Sequence, residues 1–130
     1  VPRMQELVRA VHPLPVTFHR AFDRVRDRDE AVADLLATGC QRLLSSGMAA
    51  DALTGAATLQ WLRTQTAGQL IVMPGGGITP DNITAIADAT EAVEFHFSAI
   101  QKTDDGKWLP TPDKVSAICK ILHDRIESTK

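Results

Sequence analysis

Four times along the chain a short β-rich or apolar segment runs into a turn bearing Gly, Ser or His, and a stretch of helical spacing follows, at intervals of about 25 residues. Strands joined through helices are parallel strands of an α/β protein, because a parallel pair needs a long crossover connection. The segments are Val16–Phe22 ending at Asp23, Gln41–Ser45 closing in Ser46-Gly47, Leu70–Met73 running into Pro74-Gly75-Gly76-Gly77, and Ala92–Ala99. Leu70–Met73 is continuously apolar, as a parallel strand buried on both faces should be. Helices are predicted over Asp29–Thr38 with Gly39 as C-terminal cap, over Leu53–Thr66, from Thr79 as N-cap with Pro80 at the first position, and over Asp113–Ile126. Met4, Leu7, Val8 and Val11 add a helix ahead of the first strand, stopped by His12-Pro13. The segment from 101 to 112 reads as a polar, turn-rich connection.

Two closures satisfy such a repeat, an open doubly wound sheet or half of a (β/α)₈ TIM barrel, a domain of about 250 residues. The polar and glycine signals sit at the C-terminal ends of all four strands, as His19-Arg20 with Asp23, Ser45-Ser46-Gly47, Gly75-Gly76-Gly77, and His96 with Ser98. An open sheet gathers its site at one switch point, whereas a barrel builds it from every strand end. The barrel is therefore the expected fold. The start at Val1, with no strand before the first helix, adds the expectation that the chain enters a fold already under way.

Composition narrows the partners. Among 130 residues, 14 basic and 16 acidic side chains leave a net charge of -2, which supplies no basic field for a phosphate backbone, so a dedicated nucleic-acid module is not expected. No apolar run approaches the roughly 18 to 20 residues that cross a bilayer, and no signal-peptide pattern opens the chain, so a cytoplasmic protein is expected. Cys40 and Cys119 form no CxxC pair, which argues against a disulfide framework or a four-thiolate zinc site.

Strand alternation assigns side chains to the barrel interior. Val16 and Phe18 belong under the helices, leaving Thr17 and His19 inward; Arg42, Leu44 and Ser46 face in from the next strand, and Glu94, His96 and Ser98 from the last. Alternate strands share layers, so an internal Arg42–Glu94 ion pair is predicted at the stability end of the barrel. At the other end, Gly75, Gly76 and Gly77 form either a tight turn or a loop whose bare backbone approaches an anion. Ser98-Ala99 and Ser46 in neighbouring loops would complete that anion site. His19, Arg20 and His96 are the candidate catalytic residues of the same pocket, with the imidazoles either acid/base groups or neutral hydrogen-bonders. Asp23 either joins them or caps the turn into the following helix.

The blocks Phe18-His19-Arg20-Ala21-Phe22-Asp23, Arg42-Leu43-Leu44-Ser45-Ser46-Gly47, Met73-Pro74-Gly75-Gly76-Gly77-Ile78 and Glu94-Phe95-His96-Phe97-Ser98-Ala99 occur in an order and spacing that resemble the CutC family, described as copper homeostasis proteins. Phe97 and Ile100 depart from the family pattern. The resemblance implies that residues 1–130 are the C-terminal half of a (β/α)₈ barrel, about four βα units, and that the protein handles copper. From the residues themselves copper ligation is not evident. Reduced copper favours thiolate and thioether donors, and Cys40, before a strand, and Cys119, on a helix stripe with Val115 and Leu122, both read as small buried hydrophobes, so the metal ligands are unassigned. Two functions stay open: copper binding or handling, or an enzyme acting on a phosphorylated or otherwise anionic small molecule. In either case a half-barrel is expected to need a partner, as a homo-oligomer or against an N-terminal half.

Overall fold

Ile71–Pro74, the most continuously apolar segment, is the third of three parallel strands. The computed structural model describes residues 1–128. Its elements run α1 (Pro2–Val11), β1 (Thr17–Phe18), a 3₁₀ turn (Arg20–Arg24), α2 (Arg28–Thr38), β2 (Arg42–Ser45), α3 (Ala56–Thr66), β3 (Ile71–Pro74), α4 (Ile83–Thr90), β4 (Ile100–Lys102), β5 (Trp108–Pro110) and α5 (Pro112–Ser128). The sheet order is β1-β2-β3, with Thr17 opposite Arg42 and Arg42 opposite Ile71. Sequential parallel neighbours whose helices pack one against the next, α1 on α2 through α4 on α5, are the arrangement of a barrel, whereas a doubly wound sheet divides its helices between two faces. The fold is accordingly α/β, with strands and helices alternating as in part of a (β/α)₈ barrel.

The helices lie in chain order over one face of the sheet and bury the core between. Leu43, Leu59, Leu62, Ile83, Ile86 and Ile118 are all fully buried. Each helix is fastened to the next by a polar or aromatic contact. Gln5 Nε2 donates to Ala37 O at 2.8 Å, the Arg28 guanidinium stands 4.2 Å over the Trp61 ring, Arg63 Nη1 donates to Thr90 O at 2.6 Å, and Arg125 pairs with Asp88. Asp27 caps α2, its Oδ1 accepting from the N–H groups of Asp29 and Glu30, and Gly39 ends that helix in the left-handed conformation, as its position predicts.

Several elements differ from the sequence reading. The first strand stops at Phe18, because Arg20–Arg24 turn into a 3₁₀ helix capped by the His19 ring, whose Nδ1 accepts from Ala21 N at 3.1 Å. Helix α3 starts at Ala56 rather than Leu53, residues 51–54 being a turn in which Thr54 N donates to Asp51 Oδ1 at 2.8 Å. Thr79 and Pro80 do not open α4. Thr79 N donates to Asn82 Oδ1 at 2.8 Å, which closes a separate turn, and Asn82 holds the N-cap position.

The fourth strand is reduced to a single parallel bridge between Gly75 and His96, with His96 N donating to Pro74 O at 2.9 Å. It stands at the sheet edge with no strand beyond it among the described residues, so the alternation of Val93, Phe95 and Phe97 selects a side without building a ladder. The connection from 101 to 112 contains the antiparallel hairpin β4–β5, with Gln101 opposite Leu109.

Candidate functional site

The C-terminal ends of β1 and β2 are organised by one carboxylate. Asp23 Oδ1 accepts from Ser45 Oγ at 2.5 Å and from Met48 N at 3.2 Å, while Oδ2 accepts from Ser46 N at 3.0 Å, Ser46 Oγ at 2.9 Å and Arg20 Nε at 2.9 Å. Burial pushes the Asp23 carboxyl up. The bonds from Ser45, the Ser46 backbone, Arg20 and the Ser46 hydroxyl outweigh it and hold the group below the ordinary carboxylate range. Asp23 is thus a hub between two strand ends and not the cap of α2, a role that falls to Asp27.

This hub sets the direction of Arg20. With Nε on Asp23 and Nη2 donating to Ser46 Oγ at 2.7 Å, two edges of the guanidinium are fixed and Nη1 is turned towards the glycine loop. A Cβ placed on Gly76 would lie 3.1 Å from Arg20 Nη1, and Gly76 has φ 111°, so only glycine sits there without strain. The loop is anchored on both sides, by Gly75 N donating to Ser45 O and Ala52 N donating to Gly76 O, each at 2.9 Å. Among the described residues the Gly77 N–H has no protein acceptor, whereas the bridge to His96 turns the Gly76 N–H towards His96 O.

A cavity of about 460 Å³ opens over this loop. Of the residues that the sequence points to, Arg20, Gly76, Gly77, His96, Ser98 and Ala99 line it together. Gly75 is drawn back into the bridge with His96, and Ser46, fully buried, acts on the cavity through Arg20. His19 stands apart, on a shallower hollow that shares Arg20 and Leu44, with its Nδ1 occupied by the turn. Sequence reasoning missed Lys114, which reaches the cavity from the first turn of α5, and Ile118 one turn further on. No carboxylate lines the cavity among the described residues.

The sulfur ligands that reduced copper favours are dispersed. Cys40 is buried just before β2, as expected, but Cys119 is exposed on α5, a correction to its assignment to the apolar stripe, which is held instead by Ile118, Ile121 and Leu122. Among the described residues no group of three His, Cys, Asp or Glu side chains could hold a metal ion. Among the described residues the Cys, His, Asp and Glu side chains do not gather into a copper centre.

Parallel sequential strands under a row of successive helices, with a cavity at their C-terminal ends, define a barrel-type α/β protein. Comparison with known proteins is specific: the sequence profile of the CutC family matches residues 1–101, and the chain belongs to that family. A CutC family protein of Chromobacterium violaceum is 52% identical over 99 residues, covering 76% of this chain and 40% of the relative. The copper homeostasis protein cutC homolog of Mus musculus is 47% identical over 100 residues, covering 77% and 37%. The crystal structure of a CutC protein from Streptococcus agalactiae superposes with a TM-score of 0.66 at 26% identity, over 73% of this chain and 47% of that one. The chain thus spans about two fifths of the length of the curated relatives it matches, and the hairpin β4–β5 and α5 lie almost wholly beyond the profile match. Among the described residues no helix is long and apolar enough to cross a membrane.

Proposed function

We propose that this chain is the C-terminal half of a CutC barrel that serves copper homeostasis in the cytoplasm, and that its own contribution is a pocket for a small anionic ligand. The copper role rests on the names its relatives carry. The anion pocket rests on one observation above all: Arg20, braced by Asp23 and Ser46, points its remaining N–H groups across Gly76, beside the Gly77 N–H, which has no acceptor among the described residues. A guanidinium beside an uncommitted backbone donor is the chemistry of oxyanion recognition. Copper ligands, on this reading, come from outside the described residues or from a subunit contact. The exposed edge at Val93, 78% accessible, and the apolar hairpin residues Trp108 and Leu109 favour cover by a second copy or by an N-terminal half.

Catalysis on the bound anion is the second reading. His96 supports it, because its exposed ring lines the same cavity as Arg20, whereas His19 is committed to the turn. Thermal melts in phosphate and sulfate test the pocket. Both ions should raise the melting temperature of the wild-type protein and leave Arg20→Met unmoved. No shift in the wild type would remove the anion reading.

A further inference from the structure

The cavity has a second basic side chain, Lys114, that comes from outside the family-matched stretch. On the reading that this cavity takes an anion, we propose that its ligand is a phosphomonoester with a small apolar body, and that Lys114 selects for the second negative charge. Lys114 sits in the first turn of α5, and its Nζ donates to Ile100 O at 2.8 Å, where the hairpin begins. An ammonium has three N–H donors. One is spent on fixing the side chain against the wall, leaving two to meet a ligand.

Arg20 and Lys114 reach the same cavity; no carboxylate is among its described lining residues, and the one that offsets Arg20, Asp23, sits behind it with Oδ2 2.9 Å from Arg20 Nε. Arg20, its charge shared with Asp23, supplies directed donors for the first negative charge of a ligand, and Lys114, whose hydrogen-bond partner is the neutral Ile100 carbonyl, supplies the positive charge that suits a second. Apolar side chains make up much of the remaining wall, Leu44, Ile78, Phe97 and Ile118 among them, beside the polar Thr79, His96 and Ser98. A volume of about 460 Å³ falls in the range of small-molecule pockets and has room for an organic body beside the charged head. The family profile ends at residue 101, so this selectivity belongs to the tail that packs α5 against α4.

Phenyl phosphate and phenyl sulfate separate charge from shape, since at pH 8 the first is a dianion, its second pKa being about 6, and the second is a monoanion. By calorimetric titration the wild-type protein should bind phenyl phosphate about tenfold more tightly than phenyl sulfate, and more tightly than inorganic phosphate, which lacks the apolar body. Lys114→Met should bring the phosphate-to-sulfate ratio near one, and Lys114→Arg should keep it. Equal affinity for the two esters in the wild type, or a ratio that survives Lys114→Met, would overturn the role of Lys114 and leave the anion pocket standing. Phenyl phosphate binding no better than inorganic phosphate would overturn the apolar body alone. Saturable binding of none of the three would overturn the pocket itself.

Discussion

Arg42 and Glu94 meet in a two-pronged ion pair, with Nε to Oε2 at 2.6 Å and Nη2 to Oε1 at 3.1 Å. Arg42 is on β2 and Glu94 lies in the segment beyond β3, so the pair spans an intervening strand, as layer sharing in a barrel requires. It ties the unladdered fourth segment to the sheet.

The pair makes stability depend on acid. Hydrogen bonding from Arg42 holds the Glu94 carboxyl below its ordinary value, against the opposing effect of burial and with the help of the guanidinium charge. A carboxylate depressed in the folded state contributes stability that is present above its unfolded value, about 4.3, and is lost as pH falls through the folded one. Glu94→Gln should therefore be less stable than wild type at pH 7, and the gap should close towards pH 3. Urea unfolding at the two pH values checks it. A gap that persists at pH 3 would show that the carboxylate charge is not what matters.

Asp23→Asn keeps the shape but gives one carboxylate oxygen's place to an amide donor, facing the Ser46 N–H and Arg20. A loss of about 2 kcal/mol is expected, the scale for unmaking hydrogen bonds to a buried charged group. The phosphate-dependent rise in melting temperature should weaken as well, because Arg20 loses its brace. Denaturant unfolding and melts with phosphate read the two effects separately.

Gly76→Val should cost about 1 to 3 kcal/mol through its left-handed backbone. It should also abolish the phosphate effect, since the new side chain abuts Arg20 Nη1. Retention of that effect in a folded Gly76→Val protein would mean the anion sits elsewhere.

Replacing both thiols, as Cys40→Ala and Cys119→Ser, should leave the Cu(I) affinity of this chain nearly unchanged, because one is buried before β2 and the other stands exposed on α5, and neither lines the cavity. Competition against a Cu(I) chelator measures it. A large loss of affinity would place copper ligation within this segment.

Much of this was legible in the sequence wherever a period or a backbone constraint carries the information. Alternation together with layer sharing between alternate barrel strands pairs Arg42 with Glu94, and the apolar segment running into three glycines marks β3 and its loop. The hub role of Asp23 was not legible, since its partners Ser45, Ser46 and Met48 are more than 20 residues away and nothing local marks them. The fourth strand was overread for the opposite reason: a side-chain period survives where a hydrogen-bonded ladder has only one neighbour. The hairpin did leave a signal, the Asp105-Gly106 turn with Gly106 at φ 82° between Ile100–Lys102 and Trp108–Pro110. Once that hairpin is seen, α5 and Lys114 can be brought to the cavity.

The most direct test of the anion pocket is anomalous scattering from crystals soaked in selenate, a tetrahedral oxyanion that reports its own position. The expected result is a selenium peak with its oxygens in hydrogen-bond reach of Arg20 Nη1 and the Gly77 N–H, absent in Arg20→Met. A well-ordered cavity without that peak, or selenate bound only at other surfaces, would contradict the pocket.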